Sequence, residues 1–293
     1  MDATGWLLEV AKAALGIVPV GLGVWCGIDK PKWRYRMSNR LQTIQRGRTK
    51  QPPRLLVYGT PGVGKSTFAA QAPNPIFIPT EDGLGEIDCA RFPLATTYDD
   101  VRDSLRSLAS DQHNFETVVI DSLDWLERLL WERLCQDYNV KSIEKVDGGY
   151  GKGYTHALAY WAEILGLLKA LREQRGMAVI LIAHTKIEKF ADPEATTYDR
   201  YSPRLHEKAG ALVSEWVDAV LFATRKFRTQ AEDAGFNRKR AIALAVGKDG
   251  GDRIIRCIGG PSCVAKNRYS ITEELPLSWA AFVAALSARL DQE

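Results

Sequence analysis

The chain has 293 residues, with 39 Lys and Arg against 36 Asp and Glu and 45% hydrophobic side chains. That length can bury one large core with or without a small appendage, and the near-neutral balance confines any nucleic-acid surface to a local patch. Five cysteines, Cys26, Cys89, Cys135, Cys257 and Cys263, form no C-x-x-C pair, and the four histidines lack ligand spacing; this argues against a disulfide framework or a zinc site and for reduced thiols in a cytosolic protein.

Trp6 to Ile28 leans apolar, but Glu9 and Lys12 interrupt it and Pro19 breaks it. Neither a bilayer span nor a secretory signal fits, since Lys30, Lys32, Arg34 and Arg36 follow the apolar part instead of preceding it. Residues 1–36 are expected to be an extension, poorly ordered, amphipathic or upstream of a native start at Met37, with the folded domain over 37–293. Between Lys30 and Arg54 there is no acidic residue and there are nine basic ones; such a run serves phosphate attraction or a solvated linker equally well, and Trp33 and Tyr35 tilt it toward nucleic acid.

Arg54-Leu55-Leu56-Val57-Tyr58 predicts a buried parallel strand, and Ser66 to Gln71 a helix ending before Pro73. Between them, Gly59-Thr60-Pro61-Gly62-Val63-Gly64-Lys65-Ser66 fills every constrained position of G-x-x-x-x-G-K-[ST]. This is a P-loop. Gly59, Gly62 and Gly64 allow a tight turn whose N–H groups face a triphosphate, Lys65 reaches the phosphates, Ser66 is a Mg²⁺ ligand, and Thr67 completes the ATP-binding segment.

Further along, Ile76-Phe77-Ile78 predicts a strand leading into Thr80-Glu81-Asp82, Tyr98 to Leu108 a helix, and Thr117-Val118-Val119-Ile120-Asp121 a strand closing on a carboxylate. Ligands in open parallel sheets bind at the carboxyl ends of strands, so Asp121 is expected to join Ser66 in holding Mg²⁺. Glu81 can accept a proton from an attacking water, with Asp82 and Asp124 as competitors. A helix carrying Trp125, Leu126, Leu129, Leu130 and Leu134 reads as core-facing. The loop Gly148 to Tyr154 suits base stacking, phosphate contact or a structural connection. A longer helix then leads to the strand Ala178 to Ala183.

Residues 186–208 are too long for a compact connection and are expected to be a functional loop or disordered; their charge is mixed. Arg225, Lys226, Arg228, Arg238, Lys239 and Arg240 flank an expected hairpin or loop, and Pro276 to Leu290 an expected helix with Trp279, Phe282, Val283 and Leu286 inward.

The P-loop, Thr80-Glu81, Asp121-Ser122 and His184-Thr185, in that order, resemble the core of RecA-type ATPases. Tyr150-Gly151-Lys152-Gly153-Tyr154, Ile182-Ala183-His184 and Val264 to Tyr269 are similar to phage-encoded AAA-family or RecA-like nucleotide-binding proteins, including Sak-type single-strand annealing proteins. The resemblance spans roughly Met37 to Leu286. It implies an α/β RecA-like P-loop NTPase with a mostly parallel central sheet flanked by helices, ATP and Mg²⁺ as cofactors, and a catalytic set of Lys65, Glu81, Asp121, His184 as γ-phosphate sensor, and Lys266 or Arg268 as a cation donated to a neighbouring subunit. Relatives often carry glycine after the aromatic of that triplet, where this chain has Ser270.

It further implies cytoplasmic action in a bacterial host on single-stranded DNA in recombination or annealing, self-association into a ring or filament, and a single-strand DNA-binding protein as partner, with no membrane. Two other classes fit the same residues: a DnaB/KaiC-like helicase or helicase loader, and a nucleotide-gated DNA-binding module with negligible hydrolysis.

Overall fold

A computed structural model of the protein describes residues 51–192, 196–233, 239–247 and 250–290, with residues 43, 44, 46 and 47. The chain divides into two units, Met1–Arg48 and Thr49–Glu293, and the site belongs to the second. Residues 1–36, the expected boundary at Met37, most of the basic run and Arg238 lie outside the described residues.

The second unit is built on β1 (Arg54–Gly59), α1 (Lys65–Ala70), β2 (Pro75–Pro79), β3 (Ala90–Arg91), α2 (Tyr98–Ser110), β4 (Thr117–Asp121), α3 (Leu123–Asp137), α4 (Lys152–Arg175), β5 (Ala178–Phe190), β6 (Tyr198–Pro203), α5 (Glu207–Trp216) and β7 (Ala219–Arg225). It continues through β8 (Phe227–Asp233), β9 (Lys239–Ala245), β10 (Arg253–Arg256), β11 (Lys266–Asn267), β12 (Leu275–Pro276) and α6 (Trp279–Leu290). The main sheet runs β12-β10-β7-β1-β5-β4-β2-β3. From β7 to β3 every neighbouring pair is parallel, while β10 and β12 add an antiparallel margin.

The continuous apolar runs of the sequence have a structural cause, because a parallel sheet covered by helices buries both faces. On β1, Leu55 and Val57 pack toward Phe68 of α1 and Phe282 of α6. Leu56 and Tyr58 point the other way, into a core with Leu126 of α3 and Trp161 of α4. All four strand residues are fully buried, and each large aliphatic buried this way contributes roughly 1.5–3 kcal/mol of transfer free energy. α2 begins where the sequence predicts because Thr97 and Asp100 cap it reciprocally: Asp100 N–H donates to Thr97 Oγ1 at 3.1 Å and Thr97 N–H to Asp100 Oδ2 at 2.9 Å.

The parallel register brings the strand ends level. Gly59 pairs with His184, Ile182 with Asp121, and Asp121 with Pro79. The P-loop, the residues after β2, the end of β4 and the middle of β5 therefore share one edge of the sheet.

Several expectations change. Residues 186–203 are not a long loop: β5 runs past the sheet to Phe190 and pairs antiparallel with β6, from Thr185↔Pro203 to Phe190↔Tyr198. The expected basic hairpin forms as β8 and β9. Trp125 is 38% exposed beneath the Arg128 guanidinium, and Val283 is equally exposed, so neither belongs to the core. In the glycine-rich loop, a Cβ on Gly153 would overlap the Ile143 carbonyl oxygen, and Lys152 pairs with Asp147 at 3.5 Å. Gly153 serves packing and Lys152 a surface ion pair, whereas Tyr150 stands fully exposed between glycines.

Candidate nucleotide site

The P-loop leaves β1 at Gly59, where a Cβ would overlap the Ala223 carbonyl oxygen of neighbouring β7. Gly62 and Gly64 have φ of 72° and 106°, in the left-handed region that glycine occupies without strain. Val63 is buried against the α1 core and anchors the loop, while Thr60 and Pro61 remain exposed.

A single cavity is lined by Pro61, Gly62, Gly64, Lys65, Ser66, Thr67, Glu81, Gly83, Ile87, Asp121, His184 and Arg253. Lys65 is buried, and its Nζ donates to the Gly59 and Thr60 carbonyl oxygens, both at 3.2 Å. Burial lowers its pKa while Asp121 and Glu81 oppose the shift, so the ammonium is held but incompletely compensated, as a phosphate ligand should be. Ser66 Oγ donates to Asp121 Oδ2 at 2.5 Å. Burial pushes the Asp121 carboxyl up, against the Ser66 hydrogen bond and the Lys65 charge.

Two hard oxygen donors meeting beside a phosphate loop fit Mg²⁺, which takes one or two protein ligands and completes its shell with phosphates and water. Among the described residues no cluster of three or more His, Cys, Asp or Glu could cage a metal without such help. Ser66 and Asp121 would hold the ion, which when bound would draw charge off the phosphate oxygens.

The carboxylates near Glu81 sort by environment. Thr80 stitches β2 to β4: its N–H donates to the Asp121 carbonyl at 2.8 Å, its Oγ1 donates to the Ser122 carbonyl at 2.6 Å, and Ser122 N–H donates back to Oγ1 at 2.8 Å. That clamp sets Glu81 on the cavity wall, where burial raises its pKa against the opposing pull of His184. Asp124 is a poorer base. His184 N–H donates to it at 3.1 Å, His184 Nδ1 lies 3.1 Å from both its oxygens, and Arg204 binds it through Nε at 3.1 Å and through Nη2. Although burial alone would raise it, the bonds from His184 and Arg204 hold its carboxyl well below the usual range. Asp82 is exposed and does not line the cavity. His184 Nε2 lies 3.7 Å from Glu81 Oε1, so the imidazole bridges the clamped carboxylate and the cavity-facing one.

Lys266 and Arg268 are not brought to this cavity. β11 pairs antiparallel with β7 near that strand's start, and Arg268 N–H donates to the Asp218 carbonyl while Asp218 N–H donates to that of Arg54. They sit at the amino ends of β1 and β7, the opposite edge from the P-loop. There Asp218 accepts from Arg54 at 2.7 Å, Arg172 at 3.1 Å and Arg268 at 3.3 Å. Within one chain neither cation can act on the bound phosphates. Ser270 has φ 57°, so the left-handed turn that a glycine would favour is present with serine in it.

Two arginines reach the site without a motif to mark them, Arg204 being legible only as one of the basic residues of 186–208. Arg204 follows a hairpin of mixed charge and has no motif around it. Arg253 opens Arg253-Ile254-Ile255-Arg256, whose apolar pair between arginines is a faint strand signal, and only strand order carries it to the P-loop.

A family model described as an AAA domain matches residues 51–269. The chain belongs to that family. The matched span of this AAA domain runs from just before β1 through Tyr269 and so contains the whole cavity. The chain is also similar to the SPbeta prophage-derived uncharacterized protein YorG of Bacillus subtilis (strain 168), 24% identical over 139 residues, which cover 46% of this chain and 42% of that protein. The chain thus spans about two fifths of the length of that relative. Among the described residues no helix is long and apolar enough to cross a membrane.

Proposed function

We propose that this AAA domain is a RecA-like ATPase that binds ATP with Mg²⁺, hydrolyses it, assembles with copies of itself into a ring or filament, and couples nucleotide state to single-stranded DNA in phage-type recombination or annealing. The observation that carries the nucleotide part is the convergence of Lys65, Ser66, Glu81, Asp121 and His184 on one cavity beside the P-loop. Glu81 takes the proton of a water attacking in line with the γ-phosphate; its raised pKa makes it a better base than the clamped Asp124. Lys65 offsets charge on the phosphoryl oxygens, and His184, held by Asp124, reports on the occupant of the cavity.

The DNA part is supported by position and charge. β5 runs without interruption from His184 into the β5–β6 hairpin, which exposes Ile187 and Lys189. Arg228 is exposed on β8 of the basic hairpin. The prophage origin printed for the similar YorG agrees with a phage context. Arg268, 54% exposed at the far edge, is free enough of the core to reach a neighbouring subunit's phosphates.

The test is steady-state phosphate release with and without single- and double-stranded DNA, alongside light scattering. Stimulation by single strands together with assembly supports the reading. Directional unwinding would move it to the helicase class, and tight ATP binding without any release of phosphate would make the protein a nucleotide-gated binding module.

A further inference from the structure

The nucleotide cavity has a cationic wall that the P-loop motif does not supply. Arg253 opens β10, whose antiparallel pairing with β7 sets Arg253 opposite Arg225 and Ile255 opposite Ala223. Residues two apart on a strand share a face, and Ile255 and Ala223 lie in the core beneath α1. Arg253 therefore faces the P-loop side of the sheet. A Cβ built on Gly64 would lie 3.1 Å from Arg253 Nη1 and 3.5 Å from Leu277 Cδ2. The backbone carrying the arginine is fixed on its other side, where Leu277 N–H donates to the Arg253 carbonyl at 3.0 Å.

Arg253 has features of a ligand group more than of a structural one. Its side chain is exposed and makes no hydrogen bond or ion pair among the described residues. Its cross-strand partner is another arginine, and like charges directly opposite one another destabilise a strand pair. Arg225 is engaged elsewhere, with the Gly251 carbonyl at 3.3 Å, whereas Arg253 Nη1 lies against Gly64.

We propose that Arg253 is a nucleotide-binding residue that contacts the α/β-phosphate portion of the bound nucleotide from within the same chain. The assignment rests on the nucleotide reading of the cavity and makes it more specific. P-loop backbone N–H groups cradle the α- and β-phosphates, whereas the lysine reaches the β- and γ-phosphates. Arg253 abuts Gly64, a backbone element of that cradle, while Glu81, Asp121 and His184 gather around the ends of β2, β4 and β5. Its contact therefore exists equally with ADP and with ATP, unlike that of a cation arriving with a second subunit.

The experiment is equilibrium binding of ADP and of a non-hydrolysable ATP analogue, each with Mg²⁺, to the full chain and to Arg253→Gln, Arg253→Lys and Lys65→Ala, with melting curves to confirm folding. Arg253→Gln is expected to weaken both nucleotides by a similar factor of about 10, the scale of a lost charge-assisted hydrogen bond, and Arg253→Lys by less. Binding within twofold of wild type in Arg253→Gln overturns the assignment while leaving the nucleotide site standing, as does a loss confined to the ATP analogue. If the unmodified chain binds neither nucleotide, the site reading and the assignment fall together.

Discussion

At the residue scale the chemistry depends on neighbouring carboxylates being driven apart. Glu81 and Asp124 both face His184, yet burial raises the first while hydrogen bonds from His184 and Arg204 hold the second well below its usual value. Glu81→Gln keeps the shape and loses the base, so ATP turnover is expected to fall at least 100-fold with nucleotide affinity retained, consistent with the typical contribution of a general base. A variant hydrolysing ATP at the normal rate would remove Glu81 from the mechanism. The sign of the pH dependence follows. A base must be ionised, so kcat/KM falls as pH drops through its pKa, and the acid limb is expected above the ordinary glutamate value of 4.5. The P-loop and Asp121 are legible in sequence because phosphate chemistry fixes their spacing or their place at a strand end. Arg204 and Arg253 are not, because Arg204 is carried in by a hairpin that reads as loop in the sequence and Arg253 by the strand order β10-β7-β1.

Elements transmit what these residues hold. β5 belongs to the sheet as far as His184 and to the β5–β6 hairpin beyond it, and Arg204 N–H donates to the His184 carbonyl at 2.8 Å where the two meet. The sequence reads as loop there for a physical reason. Beyond the sheet no helix layer covers both faces of the strand, and Thr185 to Phe190 are half-buried or exposed, so they lack the apolar run that marks Ala178 to Ala183.

Glu127 of α3 accepts from the backbone N–H of His206, the N-cap of α5, at 2.9 Å, while its other oxygen is buried with no hydrogen-bond partner among the described residues. Burial pushes its pKa to about 7, against that bond. Below about pH 4.5 the group is protonated folded and unfolded alike. Between 4.5 and about 7 only the unfolded chain ionises, so this contribution to stability is lost as pH rises through that window and stays lost above it. Glu127→Gln is expected to be near neutral at pH 5 and more stable than wild type by about 1–3 kcal/mol at pH 8, checked by urea denaturation at both values. A variant without a pH-dependent gain would mean that Glu127 ionises freely.

For the whole molecule, the two edges of one sheet carry two different charge constructions. The carboxyl-end edge collects the cavity, and the amino-end edge collects Arg54, Arg172 and Arg268 around Asp218, which is 8% exposed. Removing the shared anion strands three guanidinium groups, two of them largely buried. Asp218→Asn is expected to cost about 3 kcal/mol, read as a lower denaturation midpoint. Arg268→Ala tests something else: because the side chain is half exposed, the folded chain should keep its nucleotide affinity, while turnover of the assembled protein falls about 10³-fold if the cation acts across a subunit boundary. Unchanged turnover in assembled protein would end that proposal. The Lys266-Asn267-Arg268 triplet is legible as a motif, but its edge of the sheet is not, since that depends on β11 pairing with β7.

Gly59 shows how differently the letters of one motif are enforced. Its missing side chain makes room for the Ala223 carbonyl oxygen, a backbone atom that cannot step aside, whereas Gly62 has open space around it and is glycine for its φ alone. The first position would reject alanine in a chain that never met a nucleotide. A P-loop alignment is thus a superposition of two records, one of how strands nest and one of how phosphate is held, and a damaged first glycine signals a lost fold before it signals a lost ligand.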